Sequence, residues 1–257
     1  MQNLPDIKQS ESWDEENKLI ENYIKSKVVP GIPLRILEAG CGRKWPLNLE
    51  GVQYVLTGVD LDKNALEVRK NIICDLHEAI EGDLRSVNLG DNTFDVVYNS
   101  FVLEHIKEAD IVLENFSKWL RSGGLLIVRI PDPYSVRGFL TRATPHGFHI
   151  FYYRYILRSP NAGKPGYGPY VTFYHPVVSR KGIYEFCKKH HFVVKEEYKD
   201  SYYNYGGGLT GLLTKAFIRG VAMLSLGKLI ARHTYLFYIL EKDQDDRDRN
   251  AASATLS

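Results

Sequence analysis

Cysteine is scarce in this chain: Cys41, Cys74 and Cys187 are the three, far apart and without a CxxC pair. That excludes a disulfide framework or a zinc ribbon as the source of stability, and it predicts a reducing, cytoplasmic setting. Long apolar runs are missing too, and none approaches the ~20 residues that cross a bilayer. The opening "MQNLPDIKQSESWDEEN" is polar and acidic, so it does not read as a signal peptide. Acid is the last shortage, and it is local. Between Tyr134 and Gly182 there is none. From Tyr134 to Arg232, fifteen Lys or Arg face four acids (Glu185, Glu196, Glu197, Asp200), although the whole chain carries only +2. Such a surface is either solvated or set to attract an anionic partner.

What is present suffices for one large core. Hydrophobic residues make up 44% of the 257 and charged ones 25%, which excludes a disordered chain. Residues 1–12 read as a loose arm, and Trp13–Val28 as a helix with acids in its first turn. Then strand and helix signals alternate: "LRILEAG", "YVLTGVD", "KNALEVRKNI", "FDVVYNS", a helix from Glu104 to Arg121 closing on Gly123-Gly124, and "GLLIVRIP". Apolar runs without polar alternation suit strands covered on both faces, and their interleaving with helices predicts a parallel, doubly wound α/β sheet. Residues 134–178 form an aromatic, Gly/Pro-broken insertion. A helix, a strand, an amphipathic helix over 209–229 and a final strand "YLFYILEK" follow. The domain spans 13–242, and the tail 243–257 reads as disordered.

Four strand ends carry candidate ligand-binding residues, where doubly wound sheets bind. "ILEAGCG" supplies Glu38 and a bend of Gly40, Cys41 and Gly42, where the backbone can approach a ligand closely. "GVDLD" ends the second strand on Asp60, beside Leu61, and an acid there can grip both hydroxyls of a ribose. "EGDL" brings Asp83 and Leu84, with a carboxylate that can accept from an adenine amine. "VVYNS" brings Asn99, whose carbonyl can face an ammonium group. A nicotinamide dinucleotide is disfavoured. The third glycine of GxGxxG is replaced by Trp45, Pro46 follows, and no helix N-terminus remains for a pyrophosphate.

Together "ILEAGCG", "GVDLD", "EGDL", "FDVVYNSFVLEHI" and "WLRSGGLLIVRIP", over about residues 34–131, resemble the class I S-adenosylmethionine-dependent methyltransferases, in particular the small-molecule branch with "LEH" after the fourth strand. The resemblance implies a Rossmann-like sheet of about seven strands with an antiparallel last strand, a lid at 134–178, and S-adenosylmethionine as cofactor. By position, Gly40 and Gly42 would border its methionine, Glu38 its ammonium, Asp60 its ribose, and Asp83 with Leu84 its adenine. The family's helix after the glycines is lacking here, so Arg43 or Lys44 is expected to pair with the cofactor carboxylate instead.

The acceptor is expected to be a small anionic molecule methylated on O or N, with His105, His146 and His149 as candidate bases or orienting groups. Arg137, Arg142, Phe148, Tyr152 and Tyr153 are candidate acceptor contacts. No metal site is expected. DNA is excluded by "NSFV" standing where amino-methylating DNA enzymes carry a [DNS]PP[YF] turn. RNA modification and a non-catalytic binding role are the alternatives. The stripe on the 209–229 helix reads as core or a homodimer seam ahead of a membrane-surface face.

Overall fold

The computed structural model describes residues 4–156, 158–164, 166–200 and 208–243. The predicted disordered tail lies outside them, Asp243 apart. Among the described residues eight strands form one sheet: β1 Lys8–Ser10, β2 Leu34–Ala39, β3 Tyr54–Asp60, β4 Glu78–Glu81, β5 Phe94–Ser100, β6 Leu120–Pro131, β7 Phe192–Asp200 and β8 Tyr235–Lys242, in the order β1-β7-β8-β6-β5-β2-β3-β4. Pairing is parallel except where β8 runs antiparallel between β6 and β7. The chain steps outward from β2 through β3 to β4, then returns to lay β5 on the other side of β2. That reversal at β2/β5 opens the crevice in which such sheets bind ligands.

Strand periodicity divides the core. On one side Leu37, Val97, Leu126 and Val128 pack under helices α3 (Ala109–Trp119) and α6 (Arg180–His190), meeting Phe116, Ile183 and Phe186. On the other, Ile36, Val96, Ile127 and Phe237 meet Ile20 and Ile24 of α1 (Trp13–Lys25). Alternate residues of β2, β5 and β6 thus serve opposite layers, which is why these strands read as unbroken apolar runs.

Two expectations are corrected. The arm is not loose throughout: Lys8–Ser10 is an edge strand parallel to β7, and Ser10 donates to buried Glu16 at 2.6 Å. The helix expected over Glu104–Arg121 is also shorter. A 3-10 turn spans Leu103–His105, and α3 ends at Trp119, so Gly123 and Gly124 fall inside β6. There Gly124 runs so close to Asp95 O and Arg121 O (3.1 and 2.9 Å from a Cβ built on it) that a side chain would not fit. The glycines serve strand pairing at a register shift between Phe94 and Val96, not a helix cap.

A buried polar cluster fixes α1 to the sheet. Arg129 is fully buried. It donates to Glu16 Oε2 (2.9 Å), Tyr98 Oη (2.7 Å) and Asn17 Oδ1 (2.9 Å), and its guanidinium lies 4.0 Å from the Trp13 ring. Tyr235 and Ser10 donate to the other Glu16 oxygen. Removing the anion leaves a buried, uncompensated guanidinium, so Glu16→Ala is expected to cost about 3–5 kcal/mol. Urea unfolding checks this, and a loss under 1 kcal/mol would show the cluster to be dispensable.

The insertion after β6 comprises α4 (Val136–Ala143), α5 (His146–Phe151) and a π-turn at Tyr152–Ile156, and its described residues from there to α6 form no helix or strand. Its root is held by Asp132, whose carboxylate meets buried His233 Nε2 at 2.6 Å. Helix α2 (Lys63–Val68) follows β3, and α7 (Gly208–Leu224) precedes β8.

Candidate active site

The glycine bend leaves β2 directly into the crevice. Gly40 has φ +74° and Gly42 φ +52°, both in the left-handed region that glycine enters without penalty. Amides 40 and 41 donate to Val59 O, and a Cβ on Gly40 would strike the Val102 side chain. No helix forms between β2 and β3. Buried Leu47 and Leu49 anchor that connection, and Trp45 meets the edge of Tyr98 at 5.4 Å. Side-chain packing does there what helical hydrogen bonds do elsewhere.

Asp60 closes the bend onto β3. Its two oxygens accept from the amides of Gly42 (2.8 Å) and Asp62 (2.9 Å). Leu61 beside it is 71% exposed. Asp62 caps α2 and faces Arg43 at 3.4 Å, and the Arg43 guanidinium lies 5.5 Å from the Tyr167 ring of the lid. Asn99 is fully buried. Its amide donates to Ala39 O at 2.9 Å, tying β5 to β2 just before the bend, and its Oδ1 has no partner.

Other predicted residues have different surroundings. Glu38 is buried against Arg69 (2.7 Å), which also binds Cys41 O and Asp75. Burial pushes the Glu38 carboxyl up, against the pull of that guanidinium. An ammonium group would meet a carboxylate already engaged by a guanidinium. The Cys41 thiol is buried and pushed up to about 12, which makes it inert packing. Asp83 is gripped by Arg85, whose hydrogen bonds hold it below the usual carboxylate range, and Arg85 also reaches Glu108 at 2.6 Å. Leu84 packs in the core.

The lid lies along the turn after β5. Phe173 N donates to Glu104 O (2.8 Å), His105 Nδ1 meets Val171 O (2.8 Å), and the rings of His105 and Tyr170 are 5.6 Å apart. A carbonyl can only accept, so His105 carries its proton on Nδ1 and presents a lone pair on Nε2. Burial lowers its pKa, and His146 lies close enough to add to that effect. His146 stacks on His149, whose Nε2 is engaged by the Thr144 hydroxyl at 2.8 Å. Among the described residues no group of three His, Cys, Asp or Glu side chains is placed to hold a metal ion.

Glu104 is a further candidate that sequence reasoning passed over. It is 4% exposed, one carboxyl oxygen has no partner, and burial pushes it up to about 8. The signal was an acid inside the otherwise apolar turn "FVLEH". Near it lies Tyr174, one of the aromatic residues of the insertion, pushed up to about 12 by burial and by the charge of Glu104. Arg137 and Arg142 converge on that tyrosine, Arg142 at 5.6 Å from its ring. Phe148 and Tyr152 are not gathered there: they are 54% and 42% exposed, with Tyr153 packed edge-on against Tyr152.

The donor set fits S-adenosylmethionine. Its ribose hydroxyls, ammonium and adenine amine can all donate, and the crevice holds acceptors in Asp60 and the unpartnered Asn99 Oδ1, while Asp83 is already engaged by Arg85; Arg43 would be the nearby cation for its carboxylate.

Comparison with known proteins agrees. Residues 37–128 match the methyltransferase domain family. A ubiquinone biosynthesis O-methyltransferase of Mesorhizobium japonicum is 32% identical over 104 residues, 37% of this chain and 40% of that protein. A demethylmenaquinone methyltransferase of Staphylococcus epidermidis is 22% identical over 221 residues, 83% of each. The chain spans only between 20% and 50% of the length of several curated relatives that it matches. A methyltransferase structure from Methanosarcina mazei superposes with TM-score 0.53 at 15% identity, over 87% of this chain and 98% of that one. Residues 37–128 are thus a methyltransferase domain, and the fold around them is that of the S-adenosylmethionine-dependent methyltransferases.

Proposed function

We propose that the protein transfers a methyl group from S-adenosylmethionine to an oxygen or nitrogen atom of a small anionic acceptor held beneath the lid. The observation that carries this reading is Glu104, a buried carboxyl with a free oxygen where lid and crevice meet. The cofactor supplies an electrophilic methyl group for an in-line displacement. The protein must align the acceptor, keep water out and take its proton.

Glu104 is the proton acceptor in this reading. The histidines are second to it: His105 Nε2 lies 3.7 Å from Glu104 Oε1 and its pKa is lowered by burial, and His149 Nε2 is engaged by Thr144. His105 orients the acceptor through Nε2, and Arg137 and Arg142 answer its negative charge across the Tyr174 ring. Relatives named as a ubiquinone biosynthesis O-methyltransferase and a phosphoethanolamine N-methyltransferase support both acceptor atoms, and the second supports an anionic group.

The test is release of S-adenosylhomocysteine with a panel of phosphorylated and carboxylated alcohols and amines. If the product nucleoside binds but no acceptor yields turnover, the catalytic reading fails in favour of a binding role. Arg43 gives a separate check on the cofactor end. Arg43→Ala is expected to weaken S-adenosylhomocysteine binding about tenfold, the share of one charge-assisted hydrogen bond. Calorimetry giving wild-type affinity for both Arg43→Ala and Lys44→Ala rules out a cation in place of the missing helix.

A further inference from the structure

Helix α7 presents its large apolar side chains to solvent. At about 100° per residue, Leu209, Leu212, Leu213, Phe217, Met223 and Leu224 share an arc of roughly 140°. Each is more than half exposed, Met223 and Leu224 above 80%. The helix is seated through its other side, where Gly211 and Ile218 are buried and Ala222 and Ser225 half-buried, and it contacts α4 of the lid. The stripe is therefore not core among the described residues.

Charge decides between the candidates. From Leu209 to His233 the chain holds Lys215, Arg219, Lys228 and Arg232 and no acid. Lys215 follows Leu212 by three residues and Arg219 precedes Met223 by four, so both exposed cations border one edge of the apolar arc. A second copy would press two such cationic faces together, whereas an anionic surface is attracted to them. An apolar face bordered by Lys and Arg, on a helix without acids, matches the chemistry of a lipid headgroup layer. No helix among the described residues is long and apolar enough to span a membrane, so the contact is peripheral.

We propose that α7 is a membrane-surface anchor that lays its Leu209–Leu224 face into an anionic bilayer, with Lys215 and Arg219 on lipid phosphates. The chain leaving α7 is bonded to the root of the lid, Ile230 N to Tyr134 O (2.8 Å) and Val136 N to Ile230 O (2.9 Å). Docking thus brings the lid to the lipid surface. The proposal stands independently of the methyl-transfer reading.

Flotation of the full chain tests it, with vesicles of phosphatidylcholine alone and of phosphatidylcholine mixed with an equal part of phosphatidylglycerol. The protein is expected to float with the anionic vesicles at low salt and to be released as salt is raised. Leu213→Glu with Phe217→Glu should abolish flotation. Lys215→Gln with Arg219→Gln should weaken partition about 30-fold. Circular dichroism and calorimetry with S-adenosylhomocysteine on each variant keep folding and the cofactor site separate from the anchor. No flotation with anionic vesicles at low salt overturns the proposal, as does flotation that Phe217→Glu leaves unchanged. Light scattering that finds a dimer which Phe217→Glu dissociates gives the face to a second copy, and also overturns it.

Discussion

Replacing Glu104 with Gln should lower kcat by roughly 10²–10³-fold, the usual contribution of a positioned base, while raising the melting temperature. The two effects share one cause. Burial disfavours the ionised carboxyl, which is pushed up to about 8 against an ordinary value of 4.5, and one of its oxygens has no partner. Between about 4.5 and 8 the native state holds a proton that the unfolded chain has released. Stability therefore falls as pH rises through that window, the slope following the protons bound in the unfolded state minus those bound in the native state. Glutamine keeps the shape, cannot ionise, and removes this contribution to the slope. At pH 8 the variant should be more stable by about 1–3 kcal/mol, discounted for relaxation around the site. Activity runs the opposite way, since only the ionised form accepts a proton. For the wild type kcat/KM should rise with pH up to about 8 and then level. Melting curves from pH 5 to 8 beside a pH–rate profile measure both. A variant with full activity, or one less stable than wild type at pH 8, would falsify the assignment of a strained base. His105→Gln serves as the comparison: it should raise KM more than it lowers kcat, as a positioning residue does.

The second large effect is expected at Gly40, whose left-handed φ of +74° and lack of room act together. A methyl group there would lie 2.7 Å from Val102 Cγ1 and closer still to Cγ2, while on Gly42 it would meet nothing within 4 Å. Gly42→Ala then pays only the left-handed conformation, roughly 1–2 kcal/mol. Gly40→Ala adds about 1–3 kcal/mol of overpacking. Because Asn99 is bonded to Ala39 beside this bend, the displaced backbone should also lose S-adenosylhomocysteine affinity by at least tenfold. Placing Gly40→Ala in a Val102→Ala background separates the two causes: the overpacking share should disappear and the conformational share remain. Urea titrations of the four proteins supply the cycle. Equal costs at Gly40 and Gly42 are the outcome that contradicts this account.

Much of the scaffold was legible because it rests on local chemistry. Apolar runs at "LRILEAG", "FDVVYNS" and "GLLIVRIP" became β2, β5 and β6, since strands buried on both faces leave no place for polar alternation. The missing helix after Gly42 was legible for a similar reason: Trp45 and Pro46 stand where a first helical turn would be. The short edge strand at Lys8–Ser10 was not, because its three residues gain their hydrogen bonds from β7, 190 positions away in the chain. Nor were the true partners of the site. Arg69 lies 31 residues beyond Glu38, inside a segment that reads as an ordinary helix face, and only the fold brings its guanidinium beneath the bend.

The sequence by itself determined the central strands of the sheet and the residues at their ends, since these follow from burial patterns and turn chemistry within short windows. Tertiary structure decided which of those residues remain available. It gave Glu38 to Arg69, left one oxygen of Glu104 without a partner under a lid that sequence could not orient, and turned the α7 stripe to solvent. The physical reason is common to all three: whether a carboxylate or an apolar face is satisfied depends on what distant segments place beside it, and no local pattern encodes that.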